Sequence, residues 1–190
     1  PGVLHMRHTW SKDERFVAGQ PETGADKAED LQGIVDTYGA ESTACCIVEP
    51  VAGSTGCLPP PKGYLQRLRE ICDANGILLI FDEVITGFGR MGTAFSDGVF
   101  GVKADIVTMA KALTNGTVAM GAVAVSDNVY ETIISSGGPT AVEFFHGYTY
   151  SGSVPAAAAC VAAMDIYERE DLFGNAAKMA VTFLDLVLSI

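Results

Sequence analysis

The sequence predicts an α/β fold with a mostly parallel central sheet flanked by helices, and three observations carry the prediction. Short apolar runs, of which ILLIFDEV at 77–84 is the strongest, alternate with segments whose apolar residues recur at helical spacing. The runs are apolar at consecutive positions, as in strands covered on both faces. Asp82 and Lys111, each at the end of such a run, lie 29 residues apart, close to the roughly thirty that a strand–crossover–strand unit takes.

In chain order, 1–23 mixes Gly, Pro, His and charges without a period and reads as loop. A helix is expected over 26–38, where Leu31, Ile34, Val35 and Tyr38 keep helical spacing and Gly39 supplies a stop. ACCIVEPV at 44–51 reads as a buried strand. Pro59 to Pro61 lead into an amphipathic helix with Tyr64, Leu65, Leu68, Ile71 and Cys72 on one face, closed by Asn75-Gly76. The 77–84 strand follows, then a Gly-rich loop, strands at 106–110 and 122–125, and an Ala-rich helix after Pro155 that closes near Glu168. No repeat or low-complexity linker marks an internal boundary. The chain opens at Pro1 without an initiator Met and stops at Ile190 inside the apolar pattern Phe183, Leu184, Val187, Leu188, and so reads as a fragment.

Composition narrows the partners. The 190 residues are 48% apolar and 18% charged, enough for one domain with a sizeable core. A net charge of −11 argues against an electrostatically driven nucleic-acid or anionic-membrane partner. Five cysteines without CxxC spacing, four of them in apolar runs (Cys45, Cys46, Cys72, Cys160), read as core residues in a reducing compartment rather than zinc ligands. No apolar stretch reaches the roughly twenty residues of a membrane span, and no export pattern opens the chain, so a cytoplasmic location is expected.

Ligands of open α/β sheets bind beyond the carboxyl ends of the strands. Glu49, Asp82 with Glu83, and Lys111 stand at such ends. An amine and a carboxylate at one edge are what pyridoxal-phosphate (PLP) chemistry needs, the first to bond the aldehyde and the second to keep the pyridine nitrogen protonated. On a strand, Val84 shares a face with Asp82 and offers a surface for a flat ring, while Glu83 points the other way. Glu83 is left between a loop cap and a direct role. The segment FFHGYTYSG, 144–152, is equally open between phosphate binding and a tight loop with packed rings.

Two rival motifs fall on the same stretch. A nucleotide hydrolase with Asp82 on magnesium needs a GxxxxGK[ST] loop, and the chain has no Gly-Lys pair. Gly87, Gly89 and Gly92 match GxGxxG, but the residues that follow, TAFSDGVFG, do not read as the long helix a pyrophosphate site requires.

The blocks IVEPVAGSTG, PPKGYLQRLREICDANGILLIFDEVITGFGRMG, ADIVTMAKALTNG and EFFHGYTYSG resemble, in order, those of the class III aminotransferases of PLP fold type I, most closely the omega-amino acid:pyruvate (beta-alanine:pyruvate) branch. The resemblance implies that the chain is the central part of one large PLP-binding domain. It implies Lys111 as the Schiff-base lysine, Asp82 as the partner of the pyridine nitrogen, Val84 as the surface behind the ring and Glu49 near the cofactor. Thr149 matches a position that, in the family, reaches the cofactor phosphate of the other subunit of a homodimer. Ser54 stands where glutamate-using relatives carry a second glutamate, which favours pyruvate over 2-oxoglutarate. Lys111-Ala112 replaces the family's Lys-Gly, and Ser151-Gly152-Ser153-Val154 replaces its SGHP, with Pro155 one place late. The family's N-terminal phosphate-binding segment, its ring-covering aromatic and the C-terminal domain with a carboxylate-binding arginine have no counterpart in the chain.

The expected activity is amino transfer from an omega-amino acid or amine to pyruvate, giving alanine. An aminomutase, a racemase, a 2-oxoglutarate-dependent aminotransferase or an inactive fragment are the alternatives.

Overall fold

The computed structural model describes residues 2–14, 17–138, 140 and 144–189; Pro1, Ile190 and Glu143, the first residue of the EFFHGYTYSG block, lie outside them. Four strands, β1 (Cys45–Val48), β2 (Leu78–Asp82), β3 (Ile106–Met109) and β4 (Ala122–Val125), form one sheet in sequence order. The first three are parallel and β4 is antiparallel to β3. The reversal has a local cause. Between β3 and β4 the chain makes only a 3-10 turn, Lys111–Leu113, and further turns, with no helix to carry it back across a sheet face.

Two helices cover one sheet face. Helix α1 (Glu29–Tyr38) follows a 3-10 turn at Ala25–Ala28 and buries Leu31 and Val35. Helix α2 (Tyr64–Asn75) buries Tyr64, Leu65, Leu68, Ile71 and Cys72, the face its spacing predicts. These side chains meet Cys46, Leu79 and Phe81 from the strands in one core cluster. Each fully buried Leu or Ile there contributes about 1.5–3 kcal/mol. Gly76, at φ 67, ends α2 in the left-handed conformation that glycine adopts without strain, and the Ile77 N–H closes the turn onto the Cys72 carbonyl.

The opposite face is less covered than continuous apolar runs suggest. Ile47 is 58% exposed and Val123 63% exposed. The expected burial of the cysteines holds for Cys46 and Cys72, Cys160 is half-buried, and Cys45, pointing to the other face of β1, is exposed.

Strands also stop earlier than the runs that predict them. β1 ends at Val48, before Glu49 turns back to accept a hydrogen bond from the Gly53 N–H and before Pro50, which has no N–H to give. β2 ends at Asp82, whose side chain captures the Val84 N–H. Four helices complete the chain: α3 (Asp97–Phe100), α4 (Asp127–Ser136), α5 (Val154–Arg169) and α6 (Leu172–Leu188). Among the described residues no helix is long and apolar enough to cross a membrane.

At the amino end of the sheet, Asp105 Oδ2 accepts hydrogen bonds from Arg69 Nη1 and the Leu79 N–H, both at 2.8 Å. This ties α2, β2 and β3 together and sets their register. Among the described residues before Ala25 no helix or strand forms. This segment is held by Arg7 on Asp30 at 2.8 Å and by Lys27 Nζ donating to the Thr9 carbonyl.

Burial pushes the Tyr64 hydroxyl up to about 12. The folded value lies above the roughly 10 of an unfolded tyrosine. Its contribution to stability is therefore complete below about pH 10 and is lost as pH rises through about 12, on the order of 2–3 kcal/mol in all. Tyr64→Phe is expected to retain, at about pH 11.5, stability that the parent loses, measured by denaturant unfolding against about pH 9.

Candidate active site

Because β1, β2 and β3 run parallel, their carboxyl ends fall along one edge. Val48 pairs with Phe81 and Asp82 with Thr108, so Glu49 and Asp82 lie level on neighbouring strands and Lys111 follows Thr108 by three residues on the next. Neighbouring strands are about 4.8 Å apart. The topology thus assembles at one edge the three charged strand ends that the sequence singles out.

Asp82 is half-buried, and its Oδ1 accepts the Val84 N–H at 3.0 Å. That bond fixes the carboxylate while Oδ2 makes no hydrogen bond among the described residues. Lys111 follows Ala110, whose backbone is extended, and itself has φ 47. A left-handed backbone costs an L residue about 1–2 kcal/mol. The turn holds it there: the Leu113 N–H bonds the Ala110 carbonyl at 3.0 Å and the Thr114 N–H bonds the Lys111 carbonyl at 3.2 Å. Leu113 and Thr114 are buried, yet Lys111 is exposed and its Nζ has no partner among the described residues. The result is a free amine on a pinned backbone.

Glu83 faces inward and is 1% exposed. Its Oε1 accepts from the Ser96 N–H at 2.8 Å and from the Ser96 hydroxyl, and Oε2 accepts from Thr86 Oγ1 at 2.6 Å. The choice left open by the sequence is resolved as a loop cap: the carboxylate closes the 84–96 loop on the strand end that carries Asp82. Thr86 and Ser96 are thus supporting residues that sequence reasoning missed, for neither hydroxyl belongs to a local motif.

In the same loop the Phe88 N–H bonds the Ala94 carbonyl and the Gly89 N–H bonds the Thr93 carbonyl, a tight turn with Gly89 at φ 88. A Cβ on Gly89 would lie 2.3 Å from the Phe173 ring, and one on Gly92 would lie 2.9 Å from Ala177, so both glycines admit α6. The helix that follows GFGRMG has four residues, too short to serve a pyrophosphate. Gly89→Ala is expected to destabilise by about 2 kcal/mol or more, from backbone strain and the clash with Phe173 together, read as a lowered thermal midpoint.

The remaining predicted residues are placed less directly. Val84 lies in the turn after β2, half-buried, and not on the strand beside Asp82, because the Asp82 side chain draws its N–H out of the ladder. Glu49 is half-buried and uses Oε2 to hold the Gly53 N–H at 2.9 Å. Ser54 is exposed in that turn. Thr149 is exposed within a turn closed by the Ser151 N–H on the Tyr148 carbonyl, and no hydrogen bond joins it to Asp82 or Lys111. Its neighbours Phe145, Tyr148 and Tyr150 are 93%, 78% and 87% exposed, so these rings are not buried among the described residues. His146 contacts Tyr148 edge-on at 5.2 Å.

The chemistry of this edge fits PLP. An uncommitted amine can bond its aldehyde, and a carboxylate with one oxygen oriented and one free can pair with its pyridinium nitrogen one strand away.

The family model described as Aminotransferase class-III matches residues 4–189. An omega-aminotransferase of Caulobacter vibrioides is 50% identical over all of this chain and 43% of that protein. A beta-alanine–pyruvate aminotransferase of Pseudomonas aeruginosa is 48% identical over 95% of this chain and 41% of its own length. The chain thus spans about two fifths of the curated relatives it matches. Among solved structures, an (S)-enantioselective omega-transaminase from Thermomicrobium roseum superposes with a TM-score of 0.85 at 40% identity, over 97% of this chain and 40% of that one. A taurine:2-oxoglutarate aminotransferase from Bifidobacterium kashiwanohense, solved with PLP and glutamate, gives 0.80 at 36% identity, over 87% and 36%.

Proposed function

This chain belongs to the class III aminotransferases, and from that premise we propose that its protein transfers an amino group from an omega-amino acid or amine to pyruvate, giving alanine. The chain forms the central part of a large PLP-binding domain in this reading, and the protein acts in the cytoplasm as a homodimer. The observation that carries the proposal is that Asp82, at the carboxyl end of β2, and Lys111, in the turn directly after the adjacent parallel strand β3, fall at one edge of the sheet, the lysine amine without a partner among the described residues.

When bound, PLP supplies an aldehyde that accepts the amino group and a ring that withdraws electrons. Lys111 Nζ is the amine that would hold the aldehyde end of the cofactor and that a donor's amine would replace. The freed Nζ then takes a proton from the carbon that bears the donor's amino group and gives it up again, acting as base and then acid. Asp82 would keep the pyridine nitrogen protonated through its unbonded Oδ2, the Val84 N–H holding that carboxylate in place through Oδ1. Val84 would supply the surface behind the ring, Glu49 would stand near the cofactor beside Asp82, and Thr149, which is exposed, would be available to the phosphate of a partner subunit's cofactor.

Pyruvate is preferred over 2-oxoglutarate as acceptor. The Pseudomonas relatives named for pyruvate, at 48% and 45% identity, and Ser54 in the turn after β1 support the preference. The test is borohydride reduction of the cofactor-loaded protein with peptide mapping, followed by assay of alanine formed from pyruvate. A pyridoxyl group on any residue but Lys111, or amino transfer to 2-oxoglutarate alone, would contradict the proposal.

A further inference from the structure

We infer that Tyr167 is a positioning residue for Lys111, a strut from α5 that holds the lysine's turn in its left-handed shape from the outside. The inference rests on the proposed role of Lys111 and adds a residue that the strand-edge argument does not reach.

Three observations converge on it. First, the Tyr167 hydroxyl donates at 2.6 Å to the carbonyl of Ala112, the residue that follows Lys111, and accepts from Asn115 Nδ2 at 2.8 Å. One oxygen therefore spans the turn from its second residue to its end, across 55 and 52 positions of sequence. Second, Lys111, just before the gripped carbonyl, and Asn115, the other gripped residue, have φ of 47 and 52, so the segment turns left-handed at both ends, a conformation that lysine in particular avoids. Strain of this kind persists only where surrounding contacts hold it. Third, the strut is rigid. Tyr167 is 9% exposed, and its ring lies against Phe88 at 6.3 Å with planes 21° apart and against Phe173 at 5.3 Å with planes 37° apart. Phe88 belongs to the 84–96 loop that Glu83 closes on the Asp82 strand end. The same tyrosine thus couples the lysine turn to the loop behind the carboxylate.

For a group that must bond one atom and later carry a proton between others, small displacements have large kinetic effects. Among the described residues the lysine's Nζ makes no hydrogen bond or ion pair that would fix it, so its position depends on its backbone.

Tyr167→Phe removes the hydroxyl and keeps the ring stack, so the fold is expected to survive. In the intact gene product it is expected to speed hydrogen exchange of the 111–117 amides by about tenfold while leaving β2 protected. It should also lower kcat about tenfold with KM changed less than about twofold, the mark of a geometry needed in the transition state rather than in binding. The pH midpoint of the cofactor's absorbance, which reads the lysine linkage directly, is expected to move by about half a unit or more. Unchanged exchange at 111–117 would overturn the strut whatever the protein catalyses. Faster exchange with an unchanged kcat and an unchanged absorbance midpoint would make Tyr167 merely structural and overturn the positioning role. A parent protein with no pyridoxyl group on Lys111 after borohydride would overturn the proposed function instead, and the strut would then stand or fall on exchange alone.

Discussion

Lys111→Ala in the intact gene product is expected to abolish borohydride-trapped pyridoxyl incorporation at this position and to lower amino transfer by roughly 10³-fold or more. The size follows from the two tasks assigned to one amine, bonding the cofactor and moving the proton. No second lysine stands at the carboxyl edge of β2 or β3 to take over either task. Because Lys111 is exposed and its Nζ has no partner among the described residues, the same substitution should change unfolding free energy by no more than about 0.5 kcal/mol. A variant that loses activity together with its thermal midpoint would show that the lysine is structural, and a variant that retains activity would remove the proposed mechanism.

Glu83→Ala is expected to have the opposite profile, a large loss of stability. Its carboxylate satisfies three donors, the Ser96 N–H, the Ser96 hydroxyl and Thr86 Oγ1, in a site from which water is excluded. Alanine would leave these donors unpaired and open a cavity at the strand end. The cost is about 3–5 kcal/mol. In a protein of this size or larger, such a loss lowers the thermal midpoint by on the order of 10 °C. Glu83→Gln keeps one acceptor oxygen and should fall between parent and alanine. Equal stability of all three proteins would show that the loop closes without the carboxylate.

Much of the sheet edge was legible in the sequence because its signals are local. The 3.6-residue period of Tyr64, Leu65, Leu68, Ile71 and Cys72 gives the buried face of α2, and the apolar runs ending in Asp82 and Lys111 give two adjacent parallel strands. The resemblance to class III aminotransferases, stated from four sequence blocks, agrees with the family match over 4–189.

What escaped the reading depends on contacts that no short window contains. The ends of β1 and β2 are set by side chains, Glu49 on the Gly53 N–H and Asp82 on the Val84 N–H, so a run of apolar residues overshoots both. Helix α4 was not read although Val129, Tyr130, Ile133 and Ile134 fall at helical spacing, and it buries none of its residues. The choice between cap and catalyst for Glu83 needed Ser96, thirteen residues away, and the grip of Tyr167 on the Ala112 carbonyl needed a partner 55 residues away. The apolar strands were read as covered on both faces, whereas α1 and α2 cover only one; hydrophobicity records that a surface is apolar and does not record what lies on it.

The left-handed backbone at Lys111 sets a limit on how this protein can be improved. Glycine or asparagine adopts φ near 47 more easily than lysine does, so either would relieve local strain at position 111 while deleting the amine. A selection for heat resistance alone would therefore favour sequences that have given up this lysine, and a search for hardier variants must score turnover at every round to keep it.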